Sequence, residues 1–116
     1  MKKWFLIVLS KEGEKMKRIT NYKELSTNAT ESLLNHINKN EIKDKQIIMR
    51  YLYDGENIAI ACHTLFDYVK NKSTGGNVFL FSDGEFIWNS EDVYHFEKYN
   101  MELEQSFINK VLKLSK

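Results

Sequence analysis

The stretch Val78-Phe79-Leu80-Phe81-Ser82-Asp83-Gly84-Glu85-Phe86-Ile87-Trp88 decides the fold. Two runs rich in aromatic and β-branched residues flank Asp83-Gly84, a dipeptide that accepts the positive φ angles required at both central positions of a type I′ turn. The reading is a tight two-residue β-hairpin in the C-terminal half of the chain. Its register would pair Phe81 with Phe86 and Phe79 with Trp88, each aromatic pair adding roughly 0.2–1 kcal/mol over an alanine pair.

Beyond Trp88, Asn89 or Ser90 is suited to cap a helix whose first turn holds Glu91 and Asp92, where carboxylates favour the positive helix end. Val93, Phe96 and Tyr99 mark its apolar side, and a last helix from about Glu102 to Leu114 aligns Leu103, Phe107 and Val111 at spacing four. Upstream, the Asn71–Gly76 run has the composition of a flexible exposed loop. The segment Asn57-Ile58-Ala59-Ile60-Ala61 suits a buried strand, and residues 62–70 are open between strand and irregular structure.

A helix is expected from about Asp44 to Tyr53, with Ile47, Ile48, Tyr51 and Leu52 as its apolar stripe and Gly55 as a left-handed terminus. An earlier helix would start at Ser26 or Thr27 and end near Lys39-Asn40, with Ala29, Leu33 and Ile37 at i, i+4, i+8. Lys3 to Leu9 reads as a first strand and residues 11–14 as a polar turn; residues 14–24 carry no clear signal. The order β, α, α, β, β, β, α, α defines an α+β fold: a small, mostly antiparallel sheet with a β-hairpin in the C-terminal half, packed against about four helices. Residues 1–116 form a single domain, long enough to bury roughly two-thirds of the surface of the extended chain.

Cysteine usage narrows the chemistry. Cys62 is the only cysteine, so an internal disulfide and a thiolate pair for a metal are both excluded, and a reducing, cytoplasmic setting is expected. The six apolar residues after Met1-Lys2-Lys3 fall below the about seven of a signal-peptide core, and no stretch approaches the roughly 20 that span a bilayer. Cys62 stands beside His63, but neighbours on an extended strand point to opposite faces, which argues against a thiol nucleophile and base. His36, His63 and His95 lack metal-ligand spacing, and Gly75-Gly76 lacks the lysine and following helix of a phosphate loop. Lys15-Met16-Lys17-Arg18 with Tyr22 and Lys23 is the best basic patch for nucleic acid, yet no recognition-module signature accompanies it, and a solvated face accounts for it. The expectation is a non-enzyme with no catalytic, cofactor or metal residues and no direct contact with nucleic acid or membrane.

Charge is distributed unevenly despite a net +1. Residues 1–50 carry 11 Lys/Arg against 6 Asp/Glu, whereas residues 83–105 carry 1 against 7, which points to a charged partner. His95 would be half exposed and able to pair with Glu91 four residues earlier. Trp88 and Tyr94 are open between core residues and exposed anchors for a partner.

The segment Asp83-Gly84-Glu85-Phe86-Ile87-Trp88, the run Glu91–Leu103 and Phe107 together resemble the small bacterial immunity proteins of contact-dependent growth inhibition and related polymorphic-toxin systems. The similarity reaches back through Ile47–Leu52, Asp54-Gly55 and Ile58–Ala61, covering about residues 44–110. Asn89 and Glu104 stand in regions where that family commonly carries proline. The resemblance implies a protein without catalysis of its own that binds the C-terminal domain of a cognate toxin, often a nuclease, and blocks its active site or its access to target; the oligomeric state is left open, with a monomer expected in the toxin complex. An acidic surface of Asp83, Glu85, Glu91, Asp92 and Glu97, with Trp88, Tyr94 and His95 as further contacts, would attract a basic nuclease site. The alternative is a non-catalytic regulatory or adaptor module.

Overall fold

The computed structural model describes residues 4–6, 16–26, 29–40 and 42–115. Five strands form one sheet in the order β1-β3-β4-β5-β2: β1 (Trp4–Leu6), β2 (Lys17–Arg18), β3 (Glu56–Asp67), β4 (Lys72–Ser82) and β5 (Phe86–Asn89). All pairings are antiparallel except that of β2 with β5. Three α-helices pack with it, α1 (Lys45–Tyr53), α2 (Ser90–Tyr99) and α3 (Gln105–Leu114). The α+β class and the mostly antiparallel sheet match the expectation. The turn expected at residues 11–14 and most of the strand expected over Lys3–Leu9 lie outside the described residues; Trp4–Leu6 is strand.

The helix expected between Ser26 and Asn40 does not form, so the described residues hold three α-helices rather than four. Only a 3₁₀ turn, Leu33–His36, is present, and Ile37 then makes an antiparallel bridge with Met101. Polar side chains offer the backbone partners other than a helix: Glu24 Oε1 accepts from Leu33 N, Glu24 Oε2 accepts from Ser32 Oγ, and Ser32 Oγ accepts from Leu34 N. Leu33 is nevertheless buried, with Tyr22, Leu25 and Met101, in a small second core.

The Asn71–Gly76 run is not a loop. β3 continues through the undecided residues to Asp67, and β4 starts at Lys72, leaving Tyr68–Asn71 as the turn. Hydroxyls knit this outer ribbon: Thr64 and Ser73 share a bond of 2.8 Å, and Thr74 donates to Leu65 O. Gly75, at φ +84°, lies where the pairing is irregular; here glycine marks a bulge in a strand.

The β4–β5 hairpin forms, with Gly84 at φ +99°, but in a different register: Phe81 pairs with Trp88 and Ser82 with Ile87. Asp83 is the cause. Its Oδ1 accepts from Glu85 N at 2.9 Å and Phe86 N at 2.7 Å, which widens the connection beyond two residues. A slip of two residues keeps every side chain on its original face although the partners change, and Phe86 and Trp88 are both buried, which settles Trp88 as a core residue rather than an exposed anchor.

Trp88 is the centre of the main core, with Ile19, Ile48, Leu52, Phe96, Phe107 and Val111 around it. Its indole N–H donates to Leu52 O at 3.1 Å, which satisfies the one polar atom in a fully buried ring. Gly55 is required by this packing rather than by backbone conformation. It is not among the positive-φ residues, and a Cβ there would stand 2.4 Å from Trp88 Cζ2. α1 buries Ile48, Met49 and Leu52, a stripe rotated from the expected one, and leaves Ile47 exposed.

Candidate functional site

Helix α2 carries five of the eight residues singled out for partner binding, and its placement decides what they do. Asn89 caps it: Asn89 Oδ1 accepts from Asp92 N while Asp92 Oδ2 accepts from Asn89 N, both at 2.9 Å, a reciprocal capping box. Asp92 is thereby turned inward, where Thr20 Oγ1 donates to its Oδ1 at 2.7 Å. Burial pushes its carboxyl above the usual range, although Arg18 and these donors pull the other way.

The neighbouring carboxylate is also internal. Glu91 is 0% exposed; its Oε2 accepts from Phe66 N at 2.8 Å and stands 3.6 Å from His63 Nε2. One turn on, His95 is 0% exposed rather than half exposed, and it does not pair with the Glu91 carboxylate but donates from Nδ1 to Glu91 O at 2.7 Å. Its Nε2 accepts from Tyr68 N at 3.0 Å. Asp67 ends the row, accepting from Val69 N and Lys70 N and from the hydroxyls of Tyr94 and Tyr99. Burial would raise the Asp67 carboxyl, but these four donors together hold it well below the usual carboxylate range. Burial, and then Asp67 itself, push both tyrosine hydroxyls upward.

Trp88, Glu91, Asp92 and His95 are therefore interior residues and present nothing to a partner. The expected acidic surface does not assemble. Asp83 lies under Tyr51 and Lys110, both donating to its Oδ2, and Lys110 also pairs with Glu85 at 3.0 Å. Burial would raise Asp83, and the Tyr51, Phe86 N and Lys110 bonds outweigh it and hold the carboxyl low. Glu85 has a second cation in Lys17 at 3.8 Å. Thus of the five carboxylates expected to form the acidic surface, two are buried, two are paired with Lys110 of α3, and Glu97 remains exposed on α2.

The surviving site is a groove of about 320 Å³ between α2, the end of α1 and the β3–β4 ribbon. Leu65, Phe79, Phe81, Val93 and Tyr94 form its apolar walls, and Tyr53 and Glu97 form its rim, joined by a hydrogen bond from the tyrosine hydroxyl at 3.1 Å. Tyr53 is 64% exposed, the largest value among the described large hydrophobic residues on the surface. Ser90 fixes the wall by accepting from Phe79 N at 2.9 Å. Of the residues expected at an interface, Tyr94 and Glu97 meet here; Phe79, Phe81 and Tyr53 were not among them. The alternation along β4, buried at Val78, Leu80 and Ser82 and half-buried at Phe79 and Phe81, is the period-two signal that separates the two faces.

Cys62 is exposed and the described residues contain no group of three His, Cys, Asp or Glu placed to hold a metal ion. Nor does any described helix have the length and apolarity to cross a membrane. Comparisons of the chain with protein-family models, with curated proteins and with solved structures found no significant match.

Proposed function

We propose that this chain is a non-catalytic protein-binding domain that neutralises a cognate bacterial toxin domain, and that it engages the toxin through the groove between α2 and the β3–β4 ribbon. The observation that carries the binding surface is the half-buried aromatic trough itself. Phe79, Phe81 and Tyr94 offer apolar area beside the polar tips of Tyr53 and Glu97, the composition typical of interface anchors. The walls stand on regular elements tied by partly buried hydrogen bonds, so little ordering is needed on binding. The toxin as partner rests on the resemblance of residues 44–110 to immunity proteins of contact-dependent inhibition. Apolar contact, rather than an acidic mimic of nucleic acid, drives association in this reading, because Glu91 and Asp92 are internal.

The test is co-expression with the toxin C-terminal domain encoded directly upstream of this gene. Host survival and a stoichiometric complex are expected, together with loss of nuclease activity if the toxin is a nuclease. Phe79→Ser with Tyr53→Ala should weaken the complex at least tenfold, as expected for two anchor residues, while Glu85→Lys leaves it intact. Absence of both rescue and complex would overturn the toxin assignment and favour a regulatory or adaptor role; an intact complex in the groove variant would move the interface elsewhere.

A further inference from the structure

The hydrogen bonds of His95 fix its protonation pattern without ambiguity. Tyr68 N is a backbone amide and only donates, so Nε2 must accept at 3.0 Å; Glu91 O is a carbonyl and only accepts, so Nδ1 must carry the proton at 2.7 Å. The ring is completely buried. A proton added to Nε2 would set two N–H groups head to head at the start of the turn that closes the β3–β4 ribbon.

We propose that His95 is a proton-operated latch: the neutral ring holds the Tyr68–Asn71 turn against α2, and proton uptake on Nε2 releases it. The groups facing the ring are Glu91, Tyr94 and Tyr99 on α2 and Tyr68 on the turn, with Asp67 behind the two tyrosine hydroxyls and His63 behind Glu91 on β3. The carboxylate offered to the released imidazolium is Glu91, one helical turn away on the same helix. Proton uptake and release of the turn are then linked, since only the open state offers the second N–H an acceptor. The consequence reaches the groove. Tyr94 both lines it and donates to Asp67, and Leu65 lies two residues before Asp67, so loosening the turn loosens that wall whatever the groove binds.

The experiment is amide hydrogen exchange resolved by NMR between pH 7.5 and pH 5, corrected for intrinsic rates, with the ring nitrogens of His95 followed over the same range. The expected result is an Nδ1–H tautomer at the upper pH and a roughly tenfold loss of protection at Tyr68, spreading to Phe66 and Val69, in step with the His95 titration, while Trp88 and Phe107 stay protected. His95→Gln, whose amide oxygen can accept from Tyr68 N but takes up no proton, should keep the turn closed across the range. An Nε2–H tautomer at neutral pH would overturn the proposal. So would a His95 that does not titrate before global unfolding, or one whose titration leaves Tyr68 protection unchanged. If the glutamine variant does not fold, the wild-type titration alone decides between these outcomes.

Discussion

The two sides of α2 are held by different physics. On one side Val93 and Phe96 join the core around Trp88, where contact is apolar and non-directional. On the other, Glu91, His95, Tyr94 and Tyr99 hold the outer β3–β4 ribbon through directed bonds to Phe66 N, Tyr68 N and Asp67. The ribbon is exposed from Asn71 to Asn77 and has little core of its own, so its position depends on whether those polar groups are satisfied. Heat and denaturant should report the first side, and pH and conservative polar substitutions the second.

The largest effect expected is on the core side. Trp88→Ala empties the centre of the cluster and removes the indole bond to Leu52 O, and should cost about 3–5 kcal/mol in chemical denaturation; a loss below 1 kcal/mol would remove Trp88 from the centre of the fold. On the ribbon side, Asp67→Asn should cost about 1–3 kcal/mol at pH 7 by disturbing four donors at once. Because the Asp67 carboxyl is held low in the folded state, its contribution is complete above about pH 4 and disappears as pH falls through the folded value. The gap between wild type and the asparagine variant should therefore narrow in acid, and a gap that widens would reverse the assignment.

Between the two sides, Gly84→Val should cost roughly 1–2 kcal/mol, since φ is +99° there with open space around the position and strain is the only penalty. Unchanged melting would contradict this turn. The smallest effect belongs to the rim of the second core. His36 is raised by its hydrogen bond to Glu102, against some loss of solvation, and further by Glu31. A raised histidine stabilises below its ordinary value of about 6.5 and loses that contribution as pH rises through the folded value. His36→Ala should lower stability by a few tenths of a kcal/mol, about 0.3, at pH 6 and by nothing through this charge at pH 9. Equal losses at both pH values would assign the effect to packing on Tyr22, 5.2 Å away, instead.

Local signals carried much of this architecture. Helices α1, α2 and α3 are written in apolar spacing, the cap of α2 in Asn89 with Asp92, and the β4–β5 hairpin in two apolar runs around Gly84. The missing early helix and the extended β4 show where composition misleads. Ser, Thr and Asn serve turns, caps and exposed ribbons alike, and only the available partner decides among them: Glu24 for Ser32, and Leu65 O for Thr74. The same holds for the candidate site. Seven acidic residues in one segment look like a charged face when each side chain is assumed to point outward.

The sequence by itself determined the α+β class, three helices and the hairpin, because periodicity, capping and turn conformation act within a few residues. Tertiary structure alone decided that Glu91, Asp92 and His95 are internal, that Lys110 closes over Asp83 and Glu85, and that Tyr53, Phe79, Phe81, Tyr94 and Glu97 share one groove. The reason is reach. A buried polar group needs a partner from another part of the chain, such as Phe66 N for Glu91 or Tyr68 N for His95, and such separations leave no mark in a local pattern.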